Sequence, residues 1–176
     1  MIDAIRNELQ KWADPSYKEF HQKLVPGLTT MMGVRMPRLR EIAKTAAKGD
    51  WKEIWDQLRE ECYEELMIKG MLIGYGKLSR REQTEYLKVF IPQINNWAIC
   101  DCCCSTWKFM KKDQAYWFDF LYPYLFSNQE YQIRFGLVSL LAHFIGEEYL
   151  HLIFSLLDQI HHEGYYVKMA AAWLVS

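Results

Sequence analysis

The chain has 176 residues, 51% hydrophobic and 15% aromatic, which is enough apolar surface for one packed core and excludes a disordered segment. A formal net charge of −1 excludes a general basic field for holding nucleic acid, so any such role needs a locally basic face. No apolar run reaches the roughly 18 residues of a membrane span, and Met1-Ile2-Asp3 opens no signal peptide, which points to a cytoplasmic protein that binds no membrane.

Helical spacing recurs from end to end, and no alternating strand pattern interrupts it. Ile2, Ile5, Leu9 and Trp12 form one stripe over residues 2–13. Asp14-Pro15 then starts a second helix that ends near Val25-Pro26-Gly27. Pro37 opens a third that stops at Gly49. Asp50 is expected to cap a fourth, with Trp51, Ile54, Trp55 and Leu58 as its inner face.

From Tyr63 onward a repeat is legible. Tyr63, Trp97, Tyr131 and Tyr165 are each 34 residues apart, as are Ser79, Asp113 and Glu147. Ser79 with Glu82 three residues on is a capping box, and Asp113 and Glu147 put negative charge at helix starts. The unit is two antiparallel helices of about a dozen residues each. Such a period predicts an all-α fold, an α-solenoid with a curved, concave groove. The tetratricopeptide signature is not followed, so the expectation is a single domain of HEAT-like repeats over residues 1–176. Ala170 to Ser176 stops within an apolar helix, and the natural protein is expected to continue with further C-terminal helices.

The stretch Asn95 to Cys104 contains the main chemical signal. Asn95 or Asn96 can cap a helix, and Trp97 and Asp101, four apart, project from one side of it. A carboxylate there requires either a hidden cationic or N–H partner or a wet groove in which it acts. The cysteines Cys62, Cys100, Cys102, Cys103 and Cys104 form neither a disulfide framework nor a tetrahedral metal site, and are read as compact packing residues. No metal site is expected.

Counted from the second-helix starts, Asp101 lies four residues in, Arg134 three and Trp173 eight, so stacked repeats would gather them. Arg134 has two readings, a groove cation or the buried partner of Asp101. Lys77 and Lys111 are 34 apart, joined in the same turns by Arg80, Arg81, Lys108 and Lys112. Stacked turns of this kind can hold phosphates, though lysines in turns are more often only solvated. His143 and His151 lie in apolar helices and carry no catalytic pattern.

These residues resemble a known family, the DNA alkylation repair proteins of the AlkD type, which are HEAT-like-repeat DNA glycosylases. Gly33-Val34-Arg35-Met36-Pro37-Arg38-Leu39-Arg40, Trp97-Ala98-Ile99-Cys100-Asp101, Ile133-Arg134-Phe135-Gly136 and Ala171-Ala172-Trp173 look like its motifs in the family's order. The resemblance implies a monomeric enzyme that excises N3- or N7-alkylated purines from double-stranded DNA without metal or cofactor. It assigns Trp97 and Trp173 to packing against the lesion's deoxyribose, Asp101 to the chemistry and Arg134 to a backbone phosphate. Two rivals are a non-catalytic DNA-binding repeat protein and a protein–protein scaffold.

Overall fold

The structure, a computed structural model, describes all 176 residues and contains eleven α-helices and no strand. They are α1 (Ile2–Lys11), α2 (Pro15–Leu24), α3 (Met36–Ala46), α4 (Trp51–Gln57), α5 (Tyr63–Tyr75), α6 (Arg80–Phe90), α7 (Trp97–Cys104), α8 (Gln114–Leu125), α9 (Glu130–His143), α10 (Glu147–Leu157) and α11 (Tyr165–Val175). Short 3-10 turns occupy Ile91–Gln93 and Lys108–Lys112. Two compact units divide the chain, Met1–Ile99 and Cys100–Ser176, and the boundary falls inside α7.

The repeat spacing is visible in the helix starts. α5, α7, α9 and α11 begin at residues 63, 97, 130 and 165, and α6, α8 and α10 at 80, 114 and 147. Ser79 and Glu82 form the full capping box expected at α6. Asp14 caps α2 through Tyr17 N at 3.0 Å, with Pro15 at its first position. Asp50 and Asp113 precede α4 and α8 without making a side-chain cap bond. The second helices are unequal, and α7 has only eight residues. Its end is set locally, because Ser105 Oγ and Thr106 Oγ1 donate back to the carbonyls of Cys102 and Cys103 at 2.8 and 2.7 Å.

In the first unit α5 is buried from Tyr63 to Ile73 and packs against α3 and α6. A helix covered on all sides is apolar all round, yet this one carries three charges, each of which is paired. Glu64, fully buried, accepts the backbone N–H groups of Met32, Gly33 and Val34 at 3.0, 2.8 and 3.2 Å. Gly33 is required there, since its φ is +95° and a Cβ would lie 2.3 Å from the Asp14 carbonyl. Burial pushes the Glu65 carboxyl up, but hydrogen bonds from Arg59 and Arg6 outweigh it, so its pKa lies below the ordinary value. Lys69 pairs with Glu60 at 3.0 Å and lies over the Trp55 ring at 4.3 Å.

In the second unit α9 is the covered helix, buried from Ile133 to Leu140, with α8 and α11 packed against it. Cys100, Cys103 and Cys104 are buried free thiols in this core. Burial, reinforced by the neighbouring Cys104, pushes the Cys100 thiol well above its ordinary range, so it is an inert packing group. His143 is buried too. Its Nε2 contacts the Cys104 carbonyl at 2.8 Å, which assigns the proton to Nε2, and its Nδ1 has no partner.

Glu64→Ala strands three backbone N–H groups and should lower unfolding free energy by about 3 kcal/mol or more, read by urea denaturation. A loss under about 1 kcal/mol would contradict that anchoring role. Burial holds His143 and His21 below the usual imidazole pKa of 6.5, so the unfolded chain binds more protons in the window beneath that value. Their contribution is complete above about pH 6.5 and is lost as pH falls. The melting temperature should drop on acidification through that window and drop less steeply in His143→Gln, and identical slopes would contradict the assignment.

Candidate active site

Asn96 opens α7 by accepting Ile99 N on its side-chain oxygen at 3.0 Å. The second turn of that helix carries Asp101. Arg134, on α9, grips Asp101 bidentately, with Nε to Oδ1 at 2.9 Å and Nη2 to Oδ2 at 2.7 Å. Its third nitrogen, Nη1, donates to the Tyr166 carbonyl on α11 at 2.7 Å. The guanidinium carbon stands 5.1 Å from the Trp173 ring and 5.8 Å from the Tyr166 ring. The second unit thus brings together three of the expected site residues, Asp101, Arg134 and Trp173.

Exposure separates their roles. The Arg134 side chain is 0% exposed and that of Asp101 is 21% exposed. Trp173 is 44% exposed. A carboxylate oxygen has about two acceptor directions and Arg134 occupies one on each, so the outer edge of Asp101 can still accept a hydrogen bond. Burial disfavours the charged guanidinium, and the Asp101 hydrogen bonds overcome it, holding the Arg134 pKa above its ordinary value. The expectation that Arg134 binds a backbone phosphate is therefore corrected. All three of its nitrogens have protein partners and none of its surface is exposed, which matches the partner reading of the sequence.

Aromatic rings surround this pair. Tyr131 stacks on Tyr166 at 5.7 Å and 29°. Burial, with Tyr166 and Glu130 nearby, pushes the Tyr131 hydroxyl up to about 12, so it stays neutral and acts as a ring. Tyr166 and Glu130 were not singled out from the sequence. The available signal was the one-turn spacing of Glu130 and Arg134, two opposite charges on a mostly apolar helix.

Trp97 belongs to the first unit, half-buried at the start of α7. Its indole N–H donates to the Leu24 carbonyl at 3.0 Å, and its ring is 6.1 Å from that of His21. His21 is buried and its Nε2 is 3.2 Å from the Tyr63 hydroxyl. Lys77, Arg80 and Arg81 are exposed in the turn before α6 and its first residues, Arg81 pairing with Glu85 at 3.0 Å. Lys108, Lys111 and Lys112 are exposed on the 3-10 turn ahead of α8. No group of three or more His, Cys, Asp or Glu side chains is placed to hold a metal ion. No helix is long and apolar enough to cross a membrane.

Arg134→Ala would leave the Asp101 carboxylate without its cation and the Tyr166 carbonyl without its donor. The expected loss is about 3 kcal/mol of stability by chemical denaturation. Arg134→Lys should recover only part of it, because a single ammonium cannot reproduce the fork. A wild-type midpoint in Arg134→Ala would show that the pair does not hold the helices.

Among curated proteins and among solved structures, none matches the chain. Compared with protein families, residues 5–176 match the one described as DNA alkylation repair enzyme. That match covers all of α9, α7 and α11, from which the site is built, and the chain belongs to the DNA alkylation repair enzyme family.

Proposed function

We propose that the chain is a DNA glycosylase that hydrolyses the N-glycosidic bond of N3- or N7-alkylated purines in duplex DNA. The observation that carries this reading is a carboxylate held rigidly by Arg134, with its outer edge exposed in the unit that also presents the Trp173 indole. We read the 34-residue recurrence as HEAT-like repeats over residues 1–176 that receive the duplex.

An alkylated purine carries a positive charge and is already a good leaving group, so bond cleavage asks little of an acid. The departing base leaves a deoxyribose with oxocarbenium character. A fixed carboxylate such as Asp101 stabilises that charge and positions the attacking water. The exposed Trp173 ring suits a cationic nucleoside, a contact of about 0.5–2 kcal/mol depending on desolvation. Trp97 enters the proposal through its place one turn before Asp101 on α7. The backbone is assigned to exposed cations, Lys77, Arg80 and Arg81 in one turn and Lys108, Lys111 and Lys112 in another. Arg134 serves as the brace of Asp101.

The same ion pair favours a second reading, binding without excision, because Arg134 cancels part of the carboxylate field. One experiment separates the two. Wild-type protein and Asp101→Asn are incubated with methylated duplex DNA, and 7-methylguanine release and duplex affinity are measured. The proposal predicts a loss in release of about 100-fold or more in Asp101→Asn, with affinity changed less than about twofold. Equal release by the two proteins refutes the role of Asp101, and binding without release by the wild type establishes the second reading.

A further inference from the structure

Glu130 is the first residue of α9, and Arg134 stands one turn further along the same helix. Between them they hold both backbone groups of a single residue on α11. Tyr166 donates its N–H to Glu130 Oε1 at 2.8 Å, and its carbonyl accepts from Arg134 Nη1 at 2.7 Å. The Glu130 carboxylate reaches this position only because residue 164 has no side chain. A Cβ on Gly164 would lie 2.6 Å from Glu130 Oε1 and 2.8 Å from His162 Nδ1, the acceptor of the Gly164 N–H.

Helical geometry carries the grip further. Trp173 lies seven residues beyond Tyr166, about two turns and roughly 10 Å along the helix axis. A packed helix is rigid over that distance, so the anchoring of Tyr166 sets where the Trp173 indole stands. The Tyr166 carbonyl also fixes one edge of the guanidinium whose other edge holds Asp101.

We propose that Glu130 is a positioning residue of this site. By fixing the register of α11 it places Trp173 against Arg134 and sets the angle at which Arg134 presents Asp101. The kinetic consequence rests on the glycosylase reading, and the geometric one does not. An ordinary helix cap would stabilise α11 without any effect on the Trp173 environment beyond partial unfolding.

The test uses the full chain labelled with 5-fluorotryptophan, the Trp173 resonance being assigned with Trp173→Phe. Glu130→Ala, Glu130→Gln and Gly164→Ala are compared by fluorine NMR, by 7-methylguanine release and by melting temperature. Glu130→Ala should move the Trp173 resonance and lower kcat about tenfold or more with KM changed less than about twofold. Glu130→Gln, whose side-chain carbonyl still accepts the Tyr166 N–H, should keep the wild-type resonance and recover most of kcat. Gly164→Ala, which displaces the same carboxylate without removing it, should move the resonance as Glu130→Ala does and decides the matter if Glu130→Ala does not fold. An unmoved resonance in a folded displacing variant overturns the proposal, as does an equal loss of kcat in Glu130→Gln and Glu130→Ala. If the wild type releases no base, the glycosylase reading fails while the resonance still decides the positioning role.

Discussion

The bidentate pair between Asp101 and Arg134 is the constraint around which the second unit is arranged. A guanidinium with no exposed surface is tolerated only when its charge and its donors are met, and here α7, α9 and α11 each contribute to that. Removing Asp101 leaves an uncompensated guanidinium in the core, and removing Arg134 leaves the carboxylate and the Tyr166 carbonyl without their donor, so the three helices are tied by one electrostatic requirement. The pair also leaves Asp101 with a fixed angle and an open edge. A free surface carboxylate would have the charge without the orientation, and a fully covered one would have the orientation without access.

The first unit uses the same physical device for another purpose. Its covered helix, α5, carries Glu64, which closes on three successive backbone N–H groups as Arg134 closes on a backbone carbonyl. In both cases a charge on a buried helix holds an irregular or terminal stretch of chain that apolar packing alone would leave without direction. Charge-assisted bonds of this kind are short and directional, so they specify register as well as stability. Gly33 and Gly164 are the matching concessions, positions at which a side chain would collide with an acceptor.

Much of this was legible in the residues. The 34-residue recurrence marks the helix starts, and Asn96, Ser79 and Pro15 punctuate the chain through local chemistry that needs no tertiary information. The importance of Asp101 could be read from an acid within an apolar helix, and its two possible partners were reduced to one only by the fold. Arg134 illustrates the limit. Its spacing placed it near Asp101, but whether its guanidinium faces solvent or core depends on side-chain direction across three helices. Tyr166 was invisible for a sharper reason, since it acts through its backbone and any residue has that carbonyl. The length of α7 was also hidden, as Ser105 and Thr106 bond back to carbonyls that most helices leave for the next turn.

Asp101 and Arg134 act as one unit rather than as two separate charges. A double-mutant cycle with Asp101→Ala, Arg134→Ala and the combined variant, followed by unfolding free energy, measures that coupling. The expected coupling is about 2 kcal/mol or more, with the double variant more stable than the sum of the single losses would allow. Additive losses, within about 0.5 kcal/mol, would contradict it.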